Sequence, residues 1–511
     1  MPSAFRRTLL ARPDPDQQRK LAKDLIRAFR ANDPEGTARI RAELPDKEEI
    51  SLADAQFVLA REYEFPSWHA LMERIEALTD AALPPVEQFQ RAVHARSAVT
   101  LRRVLGERAE ARSAINDPLF GFDAPALVAA SDALAVVDVL LEFGADPNQR
   151  SNWWAGGFHA LHSASDASAE RLLAAGAIPD ACAAAHLDRV ALLAGMLAED
   201  PSLAQERGGD GQTPLHFARS RAVVDILLEA GADIDATDVD HRSTPAQWML
   251  DSRADLARYL VERGASVDIF LAAALGLPDR VRTMLQQDPA LLSLRTAQGV
   301  YDERPPSSYH IYQWQIGPNL SPLQTAARFG QHETLRVMED FATPVQRLLL
   351  ACHRGESDTA RAIVAANPGV VERLSPDDRR ALTDEAWAPN PPAVRIMLEL
   401  GFDPSVPSVS GPRGGNALHC AAWEGSAASV QAILEYPAGR GLVNVREPHW
   451  NGTPLSWCCH GSVNCGNPHA DHGAVAGMLI AAGAEPDPEM LDRGGSEGFR
   501  AAMEAALRGG A

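Results

Sequence analysis

The sequence predicts an all-α protein in which pairs of short helices repeat along most of the chain. Thr213-Pro214 opens one helix, because a proline at the first helical position has no N–H that would need a partner. Leu227-Leu228 closes the second helix of the pair, and Gly231 supplies the left-handed residue that ends it. One helix pair cannot bury its apolar face alone, so we expect copies of this unit to stack.

The same landmarks recur along the chain. Helix openings of this kind stand at Pro125, Ala160, Pro214, Pro245, Pro322, Ala417 and Pro454. Glycines that end second helices stand at Gly144, Gly176, Gly231, Gly264, Gly401 and Gly483. Between these units, residues 181–197, 269–285, 345–364 and 381–398 keep an apolar helical period without the Thr-Pro opening.

The segment Asp210-Gly211-Gln212-Thr213-Pro214-Leu215-His216, followed by Gly231-Ala232-Asp233, resembles the ankyrin repeat. The resemblance covers residues 86–487 and implies one continuous solenoid of about ten to twelve helix pairs with short hairpin fingers. It further implies a bacterial-type protein whose concave face binds a protein or peptide partner. His162, His216 and His419 occupy the histidine position of the repeat, where the family uses the imidazole to hydrogen-bond neighbouring loops.

The residues that flank the predicted stack form two further segments. Residues 1–80 read as an N-terminal helical cap, with Leu21, Leu25 and Phe29 on one helical face that we expect to bury against the first repeat. A partner-docking module is the alternative for this segment. Ser51 is expected to cap a further helix, and residues 488–511 are predicted to form a C-terminal helical tail.

Composition limits the classes of partner. The formal net charge of −20 argues against nucleic acid, because binding to a phosphate backbone needs clustered cations. We expect no membrane association, because no apolar stretch reaches the length of a membrane span. Residues 1–30 lack the apolar region of a signal peptide, and six cysteines then read as reduced thiols, so we expect a cytoplasmic location.

Aromatic residues concentrate in three of the predicted fingers, and we predict that they bind the partner. The candidate binding residues are Trp153, Trp154, Tyr309, His310, Tyr312, Trp314, Trp450, Trp457 and His460. The alternation of Tyr309, Ile311 and Gln313 with His310, Tyr312 and Trp314 favours a strand or hairpin. Rigid aromatic side chains with a polar tip are frequent hot-spot residues in interfaces, although packing between neighbouring fingers is the alternative.

A pocket is the second functional hypothesis. The finger at residues 295–320 and the insertion at residues 449–472 would form its walls and hold a small molecule, either for binding or for catalysis. No catalytic motif of a known class is present, and no cofactor is expected. The protein is therefore read primarily as a binding protein rather than an enzyme.

Cysteines and histidines cluster at residues 458–472. Cys465, His469 and His472 would supply three zinc ligands, but the paired cysteine knuckles that are typical of structural zinc sites are absent. Turn and helix-cap chemistry at Asp471 explains the same residues. We therefore predict no metal site, and leave a catalytic cysteine–histidine pair as an alternative.

Overall fold

The computed structural model describes residues 5–10, 13, 15–45, 47, 49–81, 83–296, 311–408, 414–487, 489–492 and 495–509. The described chain is helical and contains no β-strand; its one isolated antiparallel bridge joins Phe120 and Ala124. No helix in this part of the chain is both long and apolar enough to cross a membrane. The chain divides into two compact units, residues 1–187 and residues 188–511.

Eleven α-helices are described in the first unit. They are α1 (Pro15–Arg30), α2 (Pro34–Glu43), α3 (Leu52–Glu62), α4 (Trp68–Ala81), α5 (Pro85–His94), α6 (Ala98–Glu107), α7 (Ala109–Ser113), α8 (Ala126–Ala129), α9 (Leu134–Glu142), α10 (Asp166–Ala174) and α11 (Ala181–His186). The helix opening predicted at Ala160 is a short 3₁₀ turn.

The second unit begins with α12 and ends with α32. Its helices are α12 (Val190–Glu199), α13 (Pro214–Phe217), α14 (Arg221–Glu229), α15 (Pro245–Trp248), α16 (Ala254–Glu262), α17 (Ile269–Leu275), α18 (Pro278–Gln287), α19 (Tyr312–Gln315), α20 (Pro322–Arg328), α21 (His332–Phe341), α22 (Pro344–His353), α23 (Ser357–Ala366), α24 (Ala381–Trp387), α25 (Pro391–Glu399), α26 (Ala417–Trp423), α27 (Ala427–Glu435), α28 (Pro437–Arg440), α29 (Pro454–Asn464), α30 (His472–Ala481), α31 (Glu489–Asp492) and α32 (Glu497–Gly509). The predicted pairs α17/α18, α22/α23 and α24/α25 are all present.

Helix pairs in the second unit pack in two layers. First helices pack on first helices, as α24 does on α26 and α26 on α29, whereas second helices pack on second helices, as α25 does on α27 and α27 on α30. Gly231, between α14 and α15, adopts a left-handed φ of 89°, which confirms its predicted role as the residue that ends the helix. The layers bury a continuous apolar cluster from Leu348 to Met503.

Residues 15–81 form their own apolar clusters. The predicted Ser51 cap is confirmed, because its hydroxyl accepts from the N–H of Asp54 and the Asp54 carboxylate accepts from the N–H of Ser51. Leu25 packs with Ile40 and Val58, all within this segment, rather than in a cluster with the first repeat, and Phe29 lies against them. Helix α2 was not predicted, although an Asp33 cap before Pro34 signals it.

The fingers are turns rather than β-ladders in the described part of the chain. One backbone hydrogen bond closes each of several turns, as from Gly208 N to Gln212 O at 2.9 Å and from Glu447 N to Gly452 O at 3.0 Å. The strand or hairpin expected from Tyr309 to Trp314 is wrong for its described part, since residues 312–315 are helical. The alternation misled because burial of Tyr312, rather than pairing with a second strand, organises this segment.

Candidate functional site

Tyr312 lies in the core. Its side chain is 0% exposed, its ring packs 5.5 Å from the ring of Phe270, and its hydroxyl donates to the Asp268 carboxylate at 2.7 Å. Trp314 is 59% exposed, and its ring meets that of His241 edge-on at 5.2 Å. Tyr312 therefore has the packing role that the sequence left open. Tyr309 and His310 lie outside the described residues.

The finger of Trp153 and Trp154 belongs to the first unit and packs on local aromatic rings. The Trp153 ring lies 5.2 Å from Phe122 at 90°, and 5.9 Å from Trp154. Trp154 and Phe122 are largely exposed, while Trp153 is half-buried. These rings form a surface patch.

A cavity of about 940 Å³ opens in the second unit beside Trp450, Trp457 and His460, three of the predicted binding residues. Four of the chain's nine tryptophans line it. Its full lining is Trp387, Trp423, Asn444, Arg446, Trp450, Asn451, Gly452, Thr453, Ser456, Trp457, His460, Glu485, Pro486, Asp487 and Met490. Neither Tyr312 nor Trp314 is among these described lining residues. We call this feature the tryptophan cavity.

The four indoles form a continuous row. Ring centroids are 6.2 Å apart between Trp387 and Trp423, 6.0 Å between Trp423 and Trp457, and 6.1 Å between Trp457 and Trp450. Trp387 and Trp423 are the last residues of α24 and α26, which pack side by side. Stacking of consecutive first helices therefore builds the row, and Trp450 extends it from a finger.

Two glycines seat the Trp457 side chain, which is only 5% exposed. A Cβ atom on Gly415 would stand 2.6 Å from Cη2 of the indole, and one on Gly452 would stand 2.9 Å from its Nε1. The third close approach is at Gly461 in α29, where a Cβ would stand 2.0 Å from the Trp423 carbonyl oxygen. Glycine at these three positions thus lets α29 and its finger approach α26 closely enough to form the row.

Glu447 shapes the finger that carries Trp450. Its buried carboxylate accepts hydrogen bonds from the backbone N–H groups of His449 at 2.6 Å, Trp450 at 2.9 Å and Gly452 at 2.9 Å. Burial alone raises the pKa of Glu447, but these donors outweigh it and hold the pKa below its ordinary value. The carboxylate thus fixes the finger, and Trp450 stays 66% exposed at its tip.

Two carboxylates, those of Glu485 and Asp487, and one guanidinium stand among the polar side chains that line the tryptophan cavity. Glu485 and Asp487 are both accessible to solvent. Arg446 carries the one guanidinium of the lining, and its Nη1 donates to the Asn451 carbonyl at 2.8 Å. The guanidinium therefore stabilises the conformation of the finger that carries Trp450.

A smaller cavity, of about 30 Å³, shares Trp387 with the first and is lined from the other side by the base of the 295–320 finger. Asn319 donates to the Asp384 carboxylate there, and Arg295 pairs with Asp378 at 2.7 Å. Burial raises the pKa of Asp384 to about 7. The base of the finger thus lines this separate cavity together with Trp387. The hypothesis from the sequence had instead placed the finger and the 449–472 insertion in one pocket.

The histidines at the repeat position link neighbouring fingers, as the resemblance implied. His216 accepts from the Thr213 N–H through Nδ1 at 3.0 Å and donates through Nε2 to the Ser243 carbonyl at 3.1 Å. His419 donates in the same way to the Gly452 carbonyl at 3.1 Å. Burial lowers the pKa of both imidazoles to about 4, so they are neutral at pH 7. Their structural role is confirmed.

The cysteine and histidine insertion is held by hydrogen bonds. His472 Nε2 donates to the Trp423 carbonyl at 2.9 Å and lies 3.8 Å from Cys465 Sγ. Because Nε2 carries the proton in that bond, it has no lone pair with which to deprotonate the thiol. Cys458 is buried against the His472 carbonyl, and burial raises the pKa of its thiol. Asp471 caps α30 by accepting from the Ala474 N–H at 2.9 Å.

Sequence reasoning missed a buried polar cluster at the turn after Asp238. Ligand atoms of Asp210, Asp240 and His241 lie within 4.8 Å of one another, the only such group found among the described residues. Asp238 accepts from the N–H groups of His241 at 2.7 Å and Ser243 at 2.6 Å. The aspartates of two consecutive fingers, Asp210 and Asp240, are the sequence signal from which this cluster could have been predicted.

Comparison with known protein families identifies one segment of the chain. The family model of the ankyrin repeat matches residues 210–239, the segment that carries α13, α14 and the turn after them. This match supports an ankyrin-repeat protein, a class whose repeats generally mediate protein interactions. No curated protein matches the chain.

Proposed function

We propose that this protein is an ankyrin-repeat scaffold that binds a segment of a partner protein in the tryptophan cavity. The observation that carries the proposal is the row of four indoles, which ends in a largely exposed Trp450. Large exposed aromatic side chains cost free energy in water unless a ligand covers them, and tryptophan is enriched among the residues that dominate interfaces. The proposed contact residues are Trp387, Trp423, Trp450, Trp457 and His460.

The proposal extends to the repeats themselves. The helix pairs within each unit are taken as ankyrin repeats, supported by the matched segment, by the layered packing and by the histidine bridges. Residues 1–80 act as a separate N-terminal module, supported by the apolar clusters that its own helices form. We place the protein in the cytoplasm, where the six cysteines would remain thiols, as those of the structure are.

A small-molecule ligand is the second candidate, because of the size of the cavity. Its volume of about 940 Å³ falls at the upper end of the range of ligand pockets, roughly 300–1,000 Å³. In this case a compound rather than a polypeptide would cover the same indoles. A native mass measurement of protein purified from its own host separates the two, since a small molecule adds hundreds of daltons and a partner adds a second chain.

Partner capture with matched variants tests the proposal. The test variant is Trp450→Ala/His460→Ala, which removes two exposed side chains of the cavity, and the control is Trp154→Ala, an equally exposed tryptophan of the first unit. We expect the wild type and the control to retain the same partner and the double variant to lose most of it, with all three melting at similar temperatures. Full retention by the double variant would overturn the proposal.

A further inference from the structure

We infer that the tryptophan cavity recognises a cationic side chain, specifically the guanidinium of an arginine in the bound segment. This inference rests on the proposed function and specifies the chemistry of the ligand. Three observations support it independently: the faces of the indoles, the sign of the charges that line the cavity and the charge of the whole chain.

The indole row offers the best aromatic surface for a cation. The negative face of an aromatic ring attracts a cation within about 6 Å of its centroid, and tryptophan is the strongest of the aromatic residues. The centroids of Trp423 and Trp457 are 6.0 Å apart, and those of Trp457 and Trp450 are 6.1 Å apart. A planar group that enters beside the exposed Trp450 can therefore lie within reach of more than one ring.

The carboxylates of the lining complement a cation. Glu485 and Asp487 line the cavity on the segment that follows α30. The opposing charge of Arg446 is directed at the Asn451 carbonyl, and the Glu447 carboxylate stays ionised behind the finger because its pKa is lowered. An incoming anion would face these carboxylates, whereas a cation is attracted by them.

The charge of the chain favours the same ligand at longer range. A formal net charge of −20 gives the molecule a negative potential, which attracts cationic segments and raises their rate of association at low salt. Arginine fits better than lysine, because its guanidinium stacks flat on aromatic faces and can form two parallel hydrogen bonds with a carboxylate. The occupant is therefore a basic, arginine-bearing segment.

Two small probes isolate the charge. N-acetyl-arginine amide and N-acetyl-citrulline amide have the same length and a similar planar end, but only the first carries a charge. Ligand-observed NMR titration of the full-length protein should show arginine amide binding about tenfold more tightly than citrulline amide, a factor typical of a desolvated cation–π contact with a carboxylate nearby. Raising the salt concentration should weaken the arginine probe alone.

The matched variants assign that preference to the cavity. Glu485→Gln/Asp487→Asn removes both lining carboxylates, and Glu339→Gln/Asp340→Asn removes the same charge from α21, where both residues line a different surface groove. We expect the first pair to remove most of the tenfold preference and the second pair to keep it, with unchanged melting temperatures in both.

The outcomes separate the two proposals. Equal binding of the two probes, or no binding of either, would overturn the arginine inference. If the partner still depends on Trp450 and His460 in that case, the proposed function stands with a neutral ligand segment. If the arginine preference survives in Glu485→Gln/Asp487→Asn, the cation binds elsewhere and the inference is wrong.

Discussion

Two aromatic segments of the second unit, residues 312–314 and residues 450–460, look alike in sequence but differ in the structure. Tyr312 is fully buried and hydrogen-bonded to Asp268, and Trp314 lies against His241. Trp450 stands exposed at the mouth of the tryptophan cavity, with Trp457 beneath it. The first segment is thus held by packing, whereas the second leaves an indole face open.

The difference lies in what surrounds each ring. A buried aromatic ring with a polar tip needs a partner for that tip, and Asp268 supplies one for Tyr312. Glycines at 415 and 452 instead clear space around Trp457, and the Glu447 carboxylate holds the finger that lifts Trp450 into solvent. Aromatic content alone does not distinguish core from binding surface; the neighbours of each ring do.

Replacement of Tyr312 should have the largest effect on stability. We expect Tyr312→Ala to lower the free energy of unfolding by about 3–5 kcal/mol, because it leaves a cavity and removes the hydrogen bond to Asp268. Trp314→Ala, at a side chain that is 59% exposed, should cost about 1 kcal/mol or less. Urea unfolding followed by circular dichroism measures both. Similar, small losses in the two variants would show that Tyr312 is not a core residue.

The close approach of α29 to α26 gives the next prediction. Gly461→Ala places a Cβ atom 2.0 Å from the Trp423 carbonyl oxygen, so the backbone must move, at a cost of about 1–3 kcal/mol. Gly466→Ala, in the same insertion, meets no atom within 4 Å and should change stability by about 0.5 kcal/mol or less. Thermal unfolding of both variants, with partner binding measured in parallel, tests whether this contact builds the cavity; equal stability of the two would contradict it.

Asp384 lies on α24, the helix that ends at Trp387, and should make stability depend on pH. Asn319, five residues after Trp314 in the chain, donates to the Asp384 carboxylate. Burial raises the pKa of Asp384 from 3.8 to about 7. The native state therefore holds the proton of Asp384 more tightly than the unfolded state. Its contribution to the free energy of unfolding is fully present below about pH 4 and is lost as the pH rises to about 7. We therefore expect the difference in the free energy of unfolding between Asp384→Asn and the wild type to favour the variant more at pH 8 than at pH 5. Parallel slopes of unfolding free energy against pH would refute the shift.

Treatment with a metal chelator should have the smallest effect on stability. We expect less than one zinc ion per chain in the purified protein, and the same melting temperature with and without a chelator, because His472 Nε2 is committed to the Trp423 carbonyl. Metal analysis and thermal unfolding check this expectation. One equivalent of zinc, lost in Cys465→Ala, would contradict it and bring the catalytic alternative forward.

Local signals in the sequence predicted the local structure well. The turn at Gly231, the Ser51 cap and the histidine bridges of His216 and His419 each depend on residues a few positions apart or on one repeat motif. The N-terminal apolar face was assigned to the wrong neighbour, because helical spacing shows which residues share a face but not what that face contacts.

The site was only partly predictable. Trp450, Trp457 and His460 stood out as aromatic and polar residues of one insertion, but Trp387 and Trp423 stand at the ends of α24 and α26 and gave no loop signal. Their equivalent positions in α24 and α26 place them side by side only once the helices stack. Tyr312 misled for the same reason, because its partner Asp268 lies 44 positions away in the sequence.

Site-specific photo-crosslinking tests most directly whether the tryptophan cavity, rather than the 312–314 segment, binds the partner. A benzophenone amino acid is placed at Trp450 in one variant and at Trp314 in another, two positions of similar exposure. After irradiation in the native host, we expect a covalent adduct with one partner from position 450 and little or none from position 314. An adduct from position 314 as strong as that from position 450, or from position 314 alone, would contradict the assignment of the tryptophan cavity as the binding site.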